Sequence, residues 1–152
     1  MYRLKDPDLP TSIALAEART TESIVQSPPT RTYFVKGKDN MAYEVEYTDE
    51  FDQCFITFDE KTQDDIFTAL GLLKERGPNL PFPYSSRVNG SRHKHMRELR
   101  VQHQGEPYRI LYAFDPGRTA ILLLVGNKKG NDRWYKENIP KADKLYDQWL
   151  KS

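Results

Sequence analysis

Apolar and polar residues alternate with period two at the start of the recognisable domain: Tyr43, Val45 and Tyr47 share one side, Glu44 and Glu46 the other. That period predicts a half-buried strand. Thr48 and Asp49 then supply N-cap chemistry, and the spacing changes, with Phe51, Phe55 and Phe58 recurring at helical intervals. Asp59 caps a second predicted helix, in which Ile66, Leu70 and Leu73 fall at i, i+4 and i+7 on one face. Gly77 and Pro78 end it, as a C-cap glycine followed by proline should. Two helices with a short join predict a helical hairpin.

Residues 78–92 contain Pro78, Pro81, Pro83, Asn89, Gly90 and Ser91 and are expected to form a loop. Three strands follow. Over 96–102, Met96, Glu98 and Arg100 occupy one side and Arg97, Leu99 and Val101 the other. Gln104, Gly105 and Glu106 read as a hairpin turn, residues 108–114 as the second strand, and Asp115, Pro116, Gly117 and Arg118 as a tight turn with proline at i+1. Residues 119–125 are nearly all apolar, which suits a central strand buried on both faces. Pro140 can open a last helix, with Ala142, Leu145, Tyr146 and Trp149 as its buried stripe. The resulting order, β-α-α-β-β-β-α, predicts an α+β fold with a small, mostly antiparallel sheet backed by helices.

Composition narrows the class. A chain of 152 residues fits one domain with a short appendage and buries roughly 70% of its unfolded surface. No apolar run is long enough to span a bilayer, so no membrane partner is expected. No apolar segment follows Met1, which argues against secretion. The single cysteine, Cys54, excludes an internal disulfide and fits a reducing cytoplasm; it reads as core filler. Residues 1–40 differ from the rest, with Pro7, Pro10, Pro28, Pro29 and many Ser and Thr. They are expected to be an N-terminal extension or leader that packs on something, with the compact domain spanning 41–152.

The net charge of +1 hides an asymmetry. Residues 41–86 carry ten acidic and three basic side chains, residues 87–152 seven acidic and fourteen basic. A basic second half points either to an anionic partner or to two faces that attract each other across the fold. Arg97 and Arg100 lie in one predicted strand, Arg109 in the next, and Lys128, Lys129 and Arg133 follow the third. Tyr108, Tyr112, Trp134 and Tyr135 are interleaved with them. Cations for phosphates and aromatic rings for bases are what a single-stranded RNA site needs. Cleavage of RNA by its own 2′-hydroxyl needs a base, an acid for the leaving oxygen and cations for the phosphate. This set supplies all three without a metal or cofactor. His93 and His95 could add acid–base chemistry or RNA contacts; as metal ligands they lack partners at a telling spacing, Cys54 and His103 being the only other strong ones. Surface histidines and solubilising edge cations are the plainer reading of the same residues.

Four strings carry a resemblance: Met96-Arg97-Glu98-Leu99-Arg100, Tyr108-Arg109-Ile110-Leu111-Tyr112, residues 122–129 ending in Lys128-Lys129, and Asn131-Asp132-Arg133-Trp134-Tyr135 followed by residues 139–143. In this order, and with the helical hairpin before them, they resemble the RelE/ParE toxin superfamily, in particular its HigB-type, phage-derived branch. The resemblance implies a RelE-like fold over 41–152 and the role of toxin in a type II toxin–antitoxin pair. It further implies a ribosome-dependent mRNA endoribonuclease that inhibits translation, whose partners are a cognate antitoxin, the ribosome and mRNA. It is compatible with a homodimer and implies no cofactor. Arg109 matches the arginine that contacts the scissile phosphate, Lys129 or Lys128 the basic residue after the long strand, and Tyr135 the tyrosine that stacks on or orients the mRNA. Glu98 and Arg100 stand where RelE-type members carry lysines; Glu98 can serve as general base or as a plain partner for Arg100. The other branch implies a ParE-like gyrase inhibitor, and a non-catalytic partner-binding module on the same fold is the third reading. The leader, with apolar residues 13–16 and a strand-forming run over 32–35, is expected to pack on the domain and shield its basic face, or to pack elsewhere or on a neighbouring chain.

Overall fold

The computed structural model describes residues 42–152; the expectations for residues 1–40 lie outside the described residues. Strand β1 (Val45–Tyr47) leads into helix α1 (Asp49–Phe55) through Thr48. That threonine is fully buried. Its Oγ1 accepts from the Phe51 amide at 3.0 Å and donates to the Leu123 carbonyl at 2.8 Å, so one side chain caps a helix and ties it to a strand 75 residues away. Asp59 accepts from the Thr62 amide and starts α2 (Glu60–Arg76). Gly77 ends it with φ +59°, and a side chain there would enter the Tyr43 ring, since a Cβ would lie 2.2 Å from it. The helical hairpin is as the periodicity predicts.

A five-stranded sheet follows, in the order β1-β5-β4-β3-β2. Its strands are β2 (Ser85–Arg87), β3 (Arg97–His103), β4 (Glu106–Phe114) and β5 (Ala120–Asn127). Only β1 and β5 pair in parallel; every other pairing is antiparallel. The hairpin helices cover one face, burying Leu99, Val101, Ile110, Tyr112 and Leu122 with Phe51, Phe55, Ile66 and Leu73. Helix α3 (Trp134–Lys151) covers the other, burying Met96, Leu111, Ala113, Ile121 and Leu123 with Tyr146 and Trp149. Each large apolar side chain so buried contributes about 1.5–3 kcal/mol before entropy is counted. β5 feeds both cores, as its nearly all-apolar sequence predicts.

Two elements differ from expectation. The loop predicted over 78–92 contains β2, whose three residues pair with β3 in the register Ser85 to Leu99. The prolines lie upstream of that register, where no ladder donor is lost. Helix α3 begins at Trp134, six residues before the proline expected to open it, so Pro140 sits inside. Its missing N–H would have bonded the Lys136 carbonyl; both residues are exposed, where water takes that acceptor. Among the described residues no helix is long and apolar enough to cross a membrane.

Candidate active site

Alternation along β3 sends Glu98 and Arg100 to the α3 face and Arg97 to the helical-hairpin face. Across the ladder, Arg100 stands opposite Arg109. Two guanidiniums in that position repel, and Glu98 offsets them. Its Oε1 accepts from the Tyr135 hydroxyl at 2.6 Å and lies 3.6 Å from Arg109 Nε. Its Oε2 accepts from Ser86 Oγ at 2.7 Å and from Arg100 Nη1 at 3.2 Å. Glu98 and Arg109 are each only 5% exposed. A carboxylate buried this deeply would be costly alone; four donors and cations around it make the position tenable.

Arg109 is not fully satisfied. Nη1 donates to the Tyr108 carbonyl at 3.0 Å, but the buried Nε has no hydrogen-bond partner. An unmade bond of this kind costs about 1–3 kcal/mol and leaves a donor ready for an incoming acceptor. Tyr135 closes the site from the first turn of α3. Burial holds its phenol above the ordinary tyrosine range, the Glu98 carboxylate adds to the rise, and Arg109 opposes it. Tyr135 therefore keeps its proton at neutral pH. Lys128 Nζ lies 5.8 Å from the centre of its ring, within cation–π reach.

Trp134 fixes that tyrosine. It is buried in the core rather than presented to a ligand, with its indole against Gly126, where a Cβ would come within 2.8 Å of Nε1. The rim is polar. Lys129 Nζ pairs with Glu106 Oε2 at 2.9 Å, and Asn127 donates to Oε1 of the same carboxylate. Those bonds, Asn127 first and Lys129 second, hold the Glu106 carboxyl below the usual range. Arg133 is exposed, 3.9 Å from Glu137.

The structure thus brings together Glu98, Arg100, Arg109 and Tyr135, with Lys128 over the ring and Lys129 and Arg133 outside. It separates the rest. Arg97 donates from Nε to Ser85 Oγ at 2.9 Å, and that hydroxyl is hydrogen-bonded to the Tyr112 hydroxyl at 2.7 Å. His93 pairs through Nε2 with Asp147 at 2.8 Å and meets the Tyr146 ring edge-on. His95 Nε2 lies 3.2 Å from the Tyr146 hydroxyl. These histidines fasten the segment before β3 to α3. Among the described residues no three His, Cys, Asp or Glu side chains gather to hold a metal.

Ser86 is the site residue that the sequence reading misses. Its signal, polar Ser86 between Ser85 and Arg87 in a three-residue strand, is too short to stand out among the prolines around it.

A buried carboxylate–arginine–tyrosine group on a mixed sheet, framed by a helical hairpin and a C-terminal helix, is the setting in which kinship becomes informative. The chain belongs to the phage-derived Gp49-like protein family (DUF891), which it matches over residues 53–147. This is the kinship to which the resemblance to HigB-type toxins points. A protein of Mycobacterium tuberculosis named "Putative toxin HigB2" is 47% identical over 94 residues, covering 60% of this chain. The chain spans about half the length of that relative, 47%. A second protein of the same organism, "Putative toxin HigB3", is 42% identical over 104 residues, covering 68% of this chain and 90% of that one.

Proposed function

We propose that this chain is the toxin of a toxin–antitoxin pair and inhibits translation by cutting mRNA on the ribosome without a metal. The observation that carries this reading is the Glu98 carboxylate held against Arg109 and Tyr135. In the reaction, Glu98 accepts the proton of the attacking 2′-hydroxyl. The 2′-oxygen bonds to phosphorus as the bond to the 5′-oxygen breaks, and that oxygen takes a proton from Tyr135 or Lys128, leaving a cyclic phosphate and a free 5′-hydroxyl. Arg109 offers its Nε, which has no hydrogen-bond partner, to the phosphate oxygens as their charge grows. Because Arg109 is only 5% exposed and Tyr135 is bonded to the same Glu98 oxygen that faces it, the group must open, with Tyr135 turning outward, before RNA can reach Arg109. Correct positioning of the strand is worth many powers of ten, and the ribosome supplies it.

Primer extension on mRNA from cells expressing the chain tests the reading: cuts in phase with codons are expected, and intact transcripts in growth-arrested cells overturn it. The closed Glu98 group supports a second reading, a ParE-like gyrase inhibitor or a partner-binding module that never opens. Inhibition of gyrase supercoiling by purified protein, with transcripts intact, would favour that reading.

A further inference from the structure

Arg97 lies outside the Glu98 group but not alone. Arg87 of β2 stands directly opposite it in the ladder. With Lys94, His95, Pro78 and Phe114 the two arginines line a cleft of about 280 Å³. No acidic side chain among the described residues lines it. Among the described residues none of Arg87, Lys94 and Arg97 has a carboxylate within ion-pair distance. On the other face of β3, by contrast, Arg100 and Arg109 share the Glu98 carboxylate. Three cations held close without compensation repel one another, and a bound anion removes the repulsion.

The route to this cleft identifies the anion. β2 is the sheet edge. Ser86 faces Glu98 on one side of it, and Arg87 faces Arg97 on the other. Just before β2, Phe82 and Tyr84 are exposed large rings, 68% and 49% accessible. The Arg100 guanidinium, itself part of the Glu98 group, lies 5.2 Å over the Phe82 ring. The Glu98 group, the exposed rings just before β2 and the cleft cations thus all adjoin this one edge strand. Alternating rings and cations suit a chain of bases joined by phosphates better than an acidic peptide, which has no use for the rings.

We propose that single-stranded RNA leaving the Glu98 group crosses the β2 edge on Phe82 and Tyr84 and seats a backbone phosphate in the Arg87–Lys94–Arg97 cleft. The proposal rests on the reading of the chain as an RNA-cutting protein, and makes the cleft a binding site that sets how much mRNA the protein grips beyond the scissile bond.

Fluorescence anisotropy with a short labelled oligouridylate, titrated at several salt concentrations, tests it on the full chain. Arg87→Glu with Lys94→Glu, both exposed, is expected to weaken binding at least tenfold. It should also flatten the dependence of log affinity on log salt by about 0.7 for each phosphate that the cleft no longer neutralises. Phe82→Ala is expected to weaken binding while leaving that slope unchanged, since stacking releases no counterions. Unchanged affinity and slope in the double charge variant overturn the proposal. So does loss of binding to an oligoglutamate peptide while the RNA isotherm stays as in the wild type; the cleft would then be a protein-docking surface. Cleavage of ribosome-bound mRNA by the wild type, scored in parallel, separates the two claims. RNA held through the cleft but never cut refutes the nuclease reading alone, whereas cutting with an indifferent cleft refutes only the cleft.

Discussion

The two sides of β3 handle positive charge in opposite ways. On the α3 side, Arg100 and Arg109 share one buried carboxylate with Tyr135 and Ser86. On the hairpin side, Arg97 has a serine hydroxyl for its Nε, and its neighbours Arg87 and Lys94 have no acidic partner among the described residues. Successive residues of one strand supply both. The compensated side is costly to disturb, because removing the carboxylate strands a buried cation. The uncompensated side is easily disturbed and open to an anion. Burial without compensation is what proteins avoid; exposure without compensation is what binding sites use.

The comparison is broken most severely by Glu98→Ala. Arg109 would be left buried without its carboxylate, and the loss should be about 3–5 kcal/mol, read as a large drop in melting temperature. A variant melting like the wild type would show that water reaches Arg109 freely. Tyr135→Phe removes one donor to Glu98 and should cost about 1 kcal/mol. Growth inhibition should fall much further than stability does; if the two fall together, the hydroxyl is only structural.

The third test concerns how the segment bearing Lys94 is held. Ser91 and the Arg92 amide bond to the buried Asp143, and Arg92 and His93 to Asp147. The Arg92 bond, with His93 behind it, holds the Asp147 carboxyl below its ordinary 3.8. A depressed acid stabilises the fold above its unfolded pKa and stops doing so as pH falls through the folded one. Asp147→Asn should therefore cost below about 1 kcal/mol at pH 6, and the gap from the wild type should shrink as the pH falls below 3.8 and through the depressed folded value. A gap that does not shrink at all as the pH falls below 3.8 would mean the side chain acts by shape rather than charge. Smallest of all is Arg87→Ala with Lys94→Ala, where stability should stay within about 0.5 kcal/mol of the wild type or rise slightly as repulsion is relieved. A clear loss would reveal a hidden partner on the open side.

Much of this division was legible in the residues. Period two over 96–102 already separates Glu98 and Arg100 from Arg97, and the apolar run over 119–125 marks the strand that feeds both cores. Grouping all the cations into one RNA-binding face overlooks what that alternation says of Arg97. Tertiary packing decided the rest. Trp134 looks like a surface ring beside Arg133, yet the bare backbone at Gly126 draws its indole into the core. The start of α3 carries no side-chain cap, Arg133 preceding it without one, so Pro140 is the only visible signal and places the boundary late. β2 exists because β3 offers it a ladder, which no local pattern announces.

The parallel pairing of β1 with β5 has a consequence for synthesis. β1 leaves the ribosome early, but its sheet neighbour among the described residues, with Val45 opposite Ala120, is made 75 residues later. At roughly 5–20 residues per second that delay is about 4–15 s. During it the apolar sides of β1 and α1 must find temporary cover, and the sheet cannot close. A nascent chain stalled before β5 emerges should therefore be cut readily by added protease near Thr48, and one stalled well past residue 127 should resist. Translation itself then keeps the sheet unassembled until β5 has been read.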